Sequence, residues 1–250
     1  MRLRQIAIAC KDLDAVAADL DAVFGLKVAF RDPGIIHYGL RNAVLPAGSG
    51  FIEVLSPVRE DASAARFLAR RGGDAGYMLI LQAADAEAER VRIERLGVRV
   101  VDRIERPDYR AAHFHPGDFG GVLASVDEQR GGGDFLEPSG DWWPAGPDWR
   151  AFAAPKGVDL LAVTLAAPNP DALAERFGEL LARPLASARR LPLDRGEIRF
   201  EAGETPTTLI RRIDLATPDP AAVLGRARAR GLPLTEEGVE IGGVCFRPLG

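Results

Sequence analysis

The sequence has few of the features that assign a function directly. Its 250 residues include two cysteines, Cys10 and Cys245, in apolar strand-like runs. They are predicted to be buried reduced thiols rather than a disulfide or a zinc site. No apolar run reaches the roughly 18 residues needed to span a bilayer. The N-terminus leads directly into a strand pattern rather than a signal sequence. We therefore expect a cytoplasmic protein without a membrane anchor.

The sequence also lacks an excess of charge of one sign. Its net charge is −4, and acidic and basic residues are interspersed. Nucleic acids and membranes are therefore not expected as partners. The 47% hydrophobic and 27% charged content is typical of a protein with a full apolar core. We expect a small-molecule ligand, and either a monomer or a homodimer.

The feature that is present is a fourfold repeat in which an apolar strand runs into an Asp or Asn that opens a helix. These side chains cap the N–H groups of a first helical turn, and a following proline favours the start of a helix. The openings are Asp12-Leu13, Asp85-Ala86, Asn169-Pro170 and Asp219-Pro220. Extended segments separated by turn residues follow each helix, which predicts βαβββ units and an α+β fold.

The predicted strands after the first helix are Leu26–Phe30, Ile35–Leu40 and Phe51–Leu55. The interval between the second and third repeats is long enough to contain an insertion, residues 130–156, which is rich in Gly, Pro and Asp and holds all three tryptophans. We interpret this segment as a linker whose tryptophans either pin it against the domains or form a lid over a ligand cavity. The predicted domains are residues 1–129 and 157–250.

Three segments, in this order, carry a resemblance to a known family. They are Gln5-Ile6-Ala7-Ile8-Ala9 before Asp12, Gly50-Phe51-Ile52-Glu53-Val54, and residues 115–123, which begin His115-Pro116-Gly117-Asp118. The chain resembles the vicinal oxygen chelate superfamily, which includes glyoxalases, bleomycin-resistance proteins, methylmalonyl-CoA epimerase and extradiol dioxygenases. The resemblance implies four βαβββ units paired into two glyoxalase-like domains with curled mixed β-sheets. It places the candidate ligand cleft in the N-terminal domain.

The resemblance also implies a divalent metal, held by one residue on the first strand and one on the last strand of each βαβββ repeat. Gln5 and Glu53 match the family pattern in the first repeat. In the second repeat, Tyr77 or Met78 stands in place of His, and Ser125 stands in place of Glu. The standard four-ligand site is therefore not intact. No cofactor is expected, and Gln5 and Glu53 would hold a divalent metal if one were bound.

Glu53 is the candidate catalytic residue. Strand alternation places Phe51, Glu53 and Leu55 on one face, so this carboxylate lies among apolar neighbours. A buried carboxylate without a partner is strongly unfavourable. Glu53 therefore acts either as a general base toward a carbon beside a carbonyl, as the resemblance implies, or as a structural partner of Gln5 or of a tyrosine.

The three histidines are further candidates for ligand contact. His37 lies in the predicted third strand, and His113 and His115 alternate on one face of the segment 111–115. A His-x-His pair is typical of a metal half-site or an acid–base pair, although His115 also occupies a turn position. Gln5, Tyr77 and Ser125 complete the predicted ligand-binding set. No Ser–His–Asp or Cys–His arrangement is predicted.

Two functions follow from these observations and remain open at this point. The first is a lyase, isomerase or epimerase that uses Glu53 as general base. The second is a non-catalytic protein that binds or sequesters a small molecule without a metal.

Overall fold

The computed structural model describes residues 1–131 and 133–250. The strands are β1 (Arg2–Ala9), β2 (Leu40–Ala47), β3 (Gly50–Pro57), β4 (Ala75–Gln82), β5 (Val100–Glu105), β6 (Tyr109–Phe114), β7 (Leu123–Gln129), β8 (Asp159–Ala167), β9 (Arg190–Pro192), β10 (Glu197–Ala202), β11 (Leu209–Ala216), β12 (Val239–Ile241) and β13 (Val244–Leu249). The helices are α1 (Leu13–Phe24), α2 (Ser63–Arg71), α3 (Ala86–Arg95), α4 (Pro170–Leu181) and α5 (Pro220–Ala229). This α+β architecture, with two mixed sheets of seven and six strands, confirms the predicted fold class.

The four helix starts lie where the Asp and Asn residues predict them. Asp12, Asp85, Asn169 and Asp219 each accept a hydrogen bond from the backbone N–H three residues later, at 2.9 to 3.1 Å. Each contact satisfies one of the N–H groups that a first helical turn leaves unpaired. The helix starts are thus determined locally. Helix α2 has Ala62 at its N-cap and no side-chain cap, so the repeat pattern does not predict it.

One compact unit, here called the first unit, contains Met1–Gln5, Met78–Trp143 and Ala162–Arg211. Its strands are ordered β4–β7–β6–β5 and β8–β10–β9, with β4 counted from Met78 and β8 from Ala162. Strand β7 pairs in parallel with β4 and antiparallel with β6, which in turn pairs antiparallel with β5. Phe177 of α4 packs edge-on against both Phe119 and Phe200, with ring centroids 5.4 Å apart in each pair. These aromatic contacts tie segments from distant parts of the chain into one core.

The other compact unit, here called the second unit, contains Ile6–Tyr77, Pro144–Leu161 and Arg212–Gly250. Its strands are ordered β2–β3–β1 and β12–β13–β11, with β1 counted from Ile6 and β11 from Arg212. Helix α1 packs against α5, and Phe24 lies 5.7 Å from Phe246 between ring centroids. Both units therefore draw on both halves of the sequence. The predicted boundaries at 1–129 and 157–250 remain a prediction.

Two predicted strands of the first repeat differ from the structure. The segment Leu26–Phe30 forms only an isolated bridge, between Phe30 and Val44. The prediction of a strand at Ile35–Leu40 is wrong, because Pro33–Tyr38 forms a 3₁₀ helix. Asp32 accepts a hydrogen bond from the Gly34 N–H at 2.8 Å, and Pro33 follows it, so the segment begins with the helix-opening pattern seen elsewhere in the chain. Within the described residues, no helix combines the length and apolar character required to cross a membrane.

Candidate functional site

Glu53 lies on β3 in the second unit, and only 7% of it is exposed. Its face-sharing neighbours on the strand, Phe51 and Leu55, are buried. Asn42 on β2 donates a hydrogen bond from Nδ2 to Glu53 Oε1 at 2.7 Å. This bond fixes the orientation of a buried carboxylate. Sequence reasoning missed Asn42, although the β2–β3 hairpin register, which places Asn42 opposite Leu55, is the signal that would have found it.

Tyr77 lies in the same unit, at the start of β4, and is half-buried. Its hydroxyl is hydrogen-bonded to Ser63 Oγ at 3.2 Å, and its ring packs edge-on against Phe67 at 5.0 Å. Burial raises the pKa of Tyr77 above its usual value, and the negative charge of Glu53 acts in the same direction. The phenol therefore stays protonated at neutral pH.

His37 lies on the exposed 3₁₀ helix rather than on a strand. Its Nδ1 contacts the Gly34 carbonyl oxygen, and its ring packs against Tyr38. These contacts are within its own short helix. The structure therefore places His37 on the surface of the second unit, and its predicted role in ligand contact stays a prediction.

Trp149 covers part of the face that carries Glu53. It belongs to the 3₁₀ helix Trp149–Phe152, and only 3% of it is exposed. Its ring meets Phe51 edge-on at 5.0 Å. Among the described residues, none forms a hydrogen bond with its indole Nε1. The linker thus supplies an aromatic side chain, Trp149, that packs on this strand face.

In the first unit, Trp142 packs against Gln5. Both residues are 1% exposed, and Trp142 Nε1 donates a hydrogen bond to Gln5 Oε1 at 2.7 Å. The Arg4 guanidinium lies 5.2 Å from the centre of the Trp142 ring, and Tyr109 meets that ring edge-on at 5.7 Å. A cation and an aromatic edge are both favourable neighbours for an indole. The predicted ligand face at Gln5 is therefore occupied by a side chain of the linker.

Three polar residues of the first unit form one row across β5, β6 and β7. His113 on β6 is paired with Asp102 on β5 and with Ser125 on β7. Directly paired residues on neighbouring strands stand on the same face. His113 Nδ1 lies 3.7 Å from Asp102 Oδ2. Burial lowers the pKa of His113, and the charge of Asp102 opposes this effect. We call these residues the polar row.

A small cavity lies on the same sheet. Gln82 and Gln129 line it together with Arg4, and its volume is about 10 Å³. Gln82 is 3% exposed, and its Oε1 has no hydrogen-bond partner among the described residues. The space suits a single water molecule and is far below the several hundred Å³ of a small-molecule site. An organic ligand at this place would have to displace part of the linker, residues 130–156.

His115 lies beyond the end of β6 rather than on the strand with His113. Its Nδ1 accepts a hydrogen bond from the Gly117 N–H at 3.1 Å. Arg99 donates to both carboxylate oxygens of Asp118, at 2.7 and 2.9 Å, and this contact lowers the pKa of Asp118. His115 is therefore part of a turn. Because His115 lies in this turn and not on β6, the structure does not favour the metal half-site considered for His113 and His115, which stays a prediction.

The residues at the family's metal positions do not fit a divalent ion. Glu53 is the single carboxylate, and its Oε1 accepts from Asn42. Gln5 offers a neutral oxygen that already accepts from Trp142, and Ser125 offers a neutral hydroxyl. A protein site for a divalent metal ion requires several carboxylate or imidazole donors. In the part of the chain that the structure describes, no cluster of three or more His, Cys, Asp or Glu residues is arranged to hold a metal.

The comparison with protein families is decisive for classification. The family model described as a glyoxalase-like domain matches residues 6–181. The chain belongs to this glyoxalase-like family. The matched range includes the linker, residues 130–156. No curated protein sequence matches the glyoxalase-like chain significantly.

Solved structures similar to this glyoxalase-like chain include two methylmalonyl-CoA epimerases. The Streptomyces coelicolor enzyme is 29% identical, with 52% of this chain and 98% of that chain covered and a TM-score of 0.48. The Mycobacterium tuberculosis enzyme is 28% identical, with 51% and 87% covered and a TM-score of 0.47. A Bacillus halodurans protein is 22% identical, with 53% and 97% covered and a TM-score of 0.47. Each similarity extends over about half of the present chain.

Proposed function

We propose that the protein binds a small organic molecule on the strand face that carries Glu53. In this proposal Glu53 acts as a general base toward a carbon next to a carbonyl group, so the reaction class is that of a lyase, isomerase or epimerase. The observation that carries the proposal is the carboxylate itself, buried between Phe51 and Leu55 and oriented by Asn42 at 2.7 Å. A general base must be held in a fixed direction to meet the proton that it removes.

The surrounding residues support this role. Asn42 holds one carboxylate oxygen and so limits rotation of the Glu53 side chain. Tyr77, whose raised pKa keeps its hydroxyl protonated, is a hydrogen-bond donor in the same unit. Phe51 and Trp149 supply apolar surface on the Glu53 face, which excludes water from the carboxylate. The proposal contains no metal-dependent step, since the donor set does not fit a divalent ion.

Solvent deuterium incorporation tests this proposal. The protein is treated with a chelator, transferred to D₂O, and incubated with a panel of α-substituted carbonyl compounds that includes hydroxyketones and acyl thioesters such as methylmalonyl-CoA. We expect mass spectrometry to show protein-dependent exchange at the α-carbon of at least one compound. Binding without exchange for every compound would contradict the catalytic role.

A second function is favoured by a different observation. Trp142 and Trp149 are almost completely buried, and each packs on a strand face where a ligand was predicted. A protein that sequesters a molecule needs an enclosed face and no reactive group. Non-catalytic binding is therefore the alternative, and the exchange experiment separates the two functions.

A further inference from the structure

Arg4, on β1, is a buried cation that binds the main chain of the linker. It is 1% exposed. Its Nη1 donates a hydrogen bond to the Pro138 carbonyl oxygen at 3.4 Å, and its Nη2 donates to the Gly140 carbonyl oxygen at 2.9 Å. Two oxygens that face the two terminal nitrogens of a guanidinium are the arrangement that a carboxylate offers to an arginine. The linker carbonyls therefore stand where the two oxygens of a carboxylate would bind.

The part of the linker that supplies these carbonyls is residues 133–141, which we call the flap. Each residue of the flap is exposed or half-buried, whereas Trp142, which follows it, is 1% exposed. The flap carbonyls of Phe135 and Glu137 also accept hydrogen bonds from Arg2 Nη1, at 3.1 Å each. A segment that is attached through main-chain contacts, and whose side chains all remain partly exposed, opens at a low cost in free energy. A ligand with acceptor oxygens can take over the same hydrogen bonds at the guanidinium.

Gln82, on β4, is the second independent observation. It is 3% exposed, and its Oε1 has no hydrogen-bond partner among the described residues. Gln82 and Arg4 line the same cavity of about 10 Å³, which is lined also by flap residues such as Asp134 and Gly140. A buried carbonyl oxygen without a partner is destabilising and calls for a hydrogen-bond donor. Opening of the flap would enlarge this cavity and leave Arg4 and Gln82 facing it together.

These two side chains select the chemistry of a ligand. The guanidinium of Arg4 is best matched by two oxygens that share a negative charge, and Gln82 Oε1 requires a donor. An ammonium donor would be repelled by the guanidinium that lines the same cavity, so a neutral hydroxyl group is the better donor. A small hydroxycarboxylate carries both groups close together.

We propose that Arg4 and Gln82 form a binding site in the first unit for a small hydroxycarboxylate, and that the flap covers this site until the ligand binds. The carboxylate replaces the carbonyls of Pro138 and Gly140 at Arg4, and the hydroxyl group donates to Gln82 Oε1. The site involves none of the residues assigned to the general base. It would stand even if Glu53 proved to have no catalytic role.

Titration with racemic lactate, followed by calorimetry and by tryptophan fluorescence, tests the proposal. The fluorescence is a direct reporter, because the Trp142 ring centre lies 5.2 Å from the Arg4 guanidinium. We expect saturable binding of one lactate per chain. Propionate has the same carbon chain and carboxylate but no hydroxyl group, so it is expected to bind about tenfold more weakly. Lactamide keeps the hydroxyl group but carries no negative charge, and it is expected to bind more weakly than lactate by at least about the same factor.

Hydrogen–deuterium exchange locates the bound lactate. Exchange of the backbone amides of residues 133–141 is expected to rise when lactate binds, because the flap then loses its contacts with Arg4. Lactate binding that leaves the exchange of these residues unchanged would overturn the proposal, since the ligand would then lie elsewhere.

Gln82→Leu tests the hydroxyl contact. The variant lacks the acceptor oxygen, so it is expected to bind lactate and propionate equally. It removes a buried oxygen without a partner, so its urea midpoint is expected to equal or exceed that of the parent protein. Thr164→Val is the matched control, because Thr164 is 1% exposed in the same unit and its Oγ1 also has no partner among the described residues. This control is expected to keep the preference for lactate.

The absence of saturable lactate binding to the parent protein would overturn the proposal. So would equal binding of lactate and propionate, or of lactate and lactamide, to the parent protein. A Gln82→Leu variant that keeps the preference for lactate, or a Thr164→Val variant that loses it, would have the same consequence.

Discussion

Replacing Glu53 by glutamine is expected to lower the rate of solvent deuterium exchange about 100-fold to 10,000-fold, the usual contribution of a positioned general base. Glutamine has nearly the same shape as glutamate, and its amide oxygen can still accept the hydrogen bond that Asn42 donates at 2.7 Å. The substitution therefore removes the basic oxygen with little change in packing. Exchange rates are measured under saturating substrate, so that a change in affinity does not enter the comparison.

Glu60→Gln is the matched control, because Glu60 is an exposed glutamate of the same unit. It is expected to retain the parent exchange rate. Asn42→Ala leaves the carboxylate in place but removes its orienting partner, and we expect an intermediate loss of rate. A Glu53→Gln variant with full exchange activity would show that another group removes the proton.

Replacing Trp142 by alanine is expected to lower the free energy of unfolding by about 3 to 5 kcal/mol, the range for removing a large buried aromatic side chain. Trp142 is 1% exposed and contacts Gln5, Arg4 and Tyr109, so the substitution leaves a cavity and removes one hydrogen bond. Equilibrium unfolding in urea, followed by circular dichroism, measures the change. A loss of this size would show that the linker around Trp142 is part of the folded core.

Trp142→Phe separates the two contributions. Phenylalanine keeps an aromatic ring but loses the indole N–H, so we expect a smaller loss of about 1 to 2 kcal/mol from the broken bond to Gln5. Trp143 provides the comparison, because it is half-buried and stacks against Tyr109 and Arg106 nearer the surface. Trp143→Ala is expected to cost less than Trp142→Ala. If Trp142→Ala had the same urea midpoint as the parent protein, the linker around Trp142 would contribute nothing to the stability of the fold.

Local chemistry explains which parts of the fold the sequence predicts. Asp12, Asp85, Asn169 and Asp219 act on N–H groups three residues away, so their effect is visible in a short stretch of sequence. The 3₁₀ helix at Pro33–Tyr38 has a local signal as well, Asp32 followed by Pro33, but the β-branched and aromatic residues Ile35, Ile36 and Tyr38 favour a strand. In that segment the capping interaction prevails over the strand pattern.

The candidate site depends on contacts that no short stretch of sequence contains. Trp142 and Gln5 are 137 residues apart in the chain, so a role for the linker as partner of β1 requires the folded structure. Likewise, the strand alternation of β5 assigns Asp102 to the wrong face unless the bulge before it is known. Glu53 was identifiable because alternation within one strand suffices to bury it. Its partner Asn42 requires the hairpin register.

The most direct test of a site that works without a resident metal is the metal content of the protein and its effect on exchange. Inductively coupled plasma mass spectrometry is applied to the protein purified without chelator, and exchange is measured before and after Ni²⁺, Zn²⁺, Mn²⁺ or Fe²⁺ is added. We expect far less than one metal ion per chain, the same content in Glu53→Ala, and no stimulation of exchange by added metal. One equivalent of metal that is lost in Glu53→Ala, with exchange that returns only when metal is restored, would contradict this expectation.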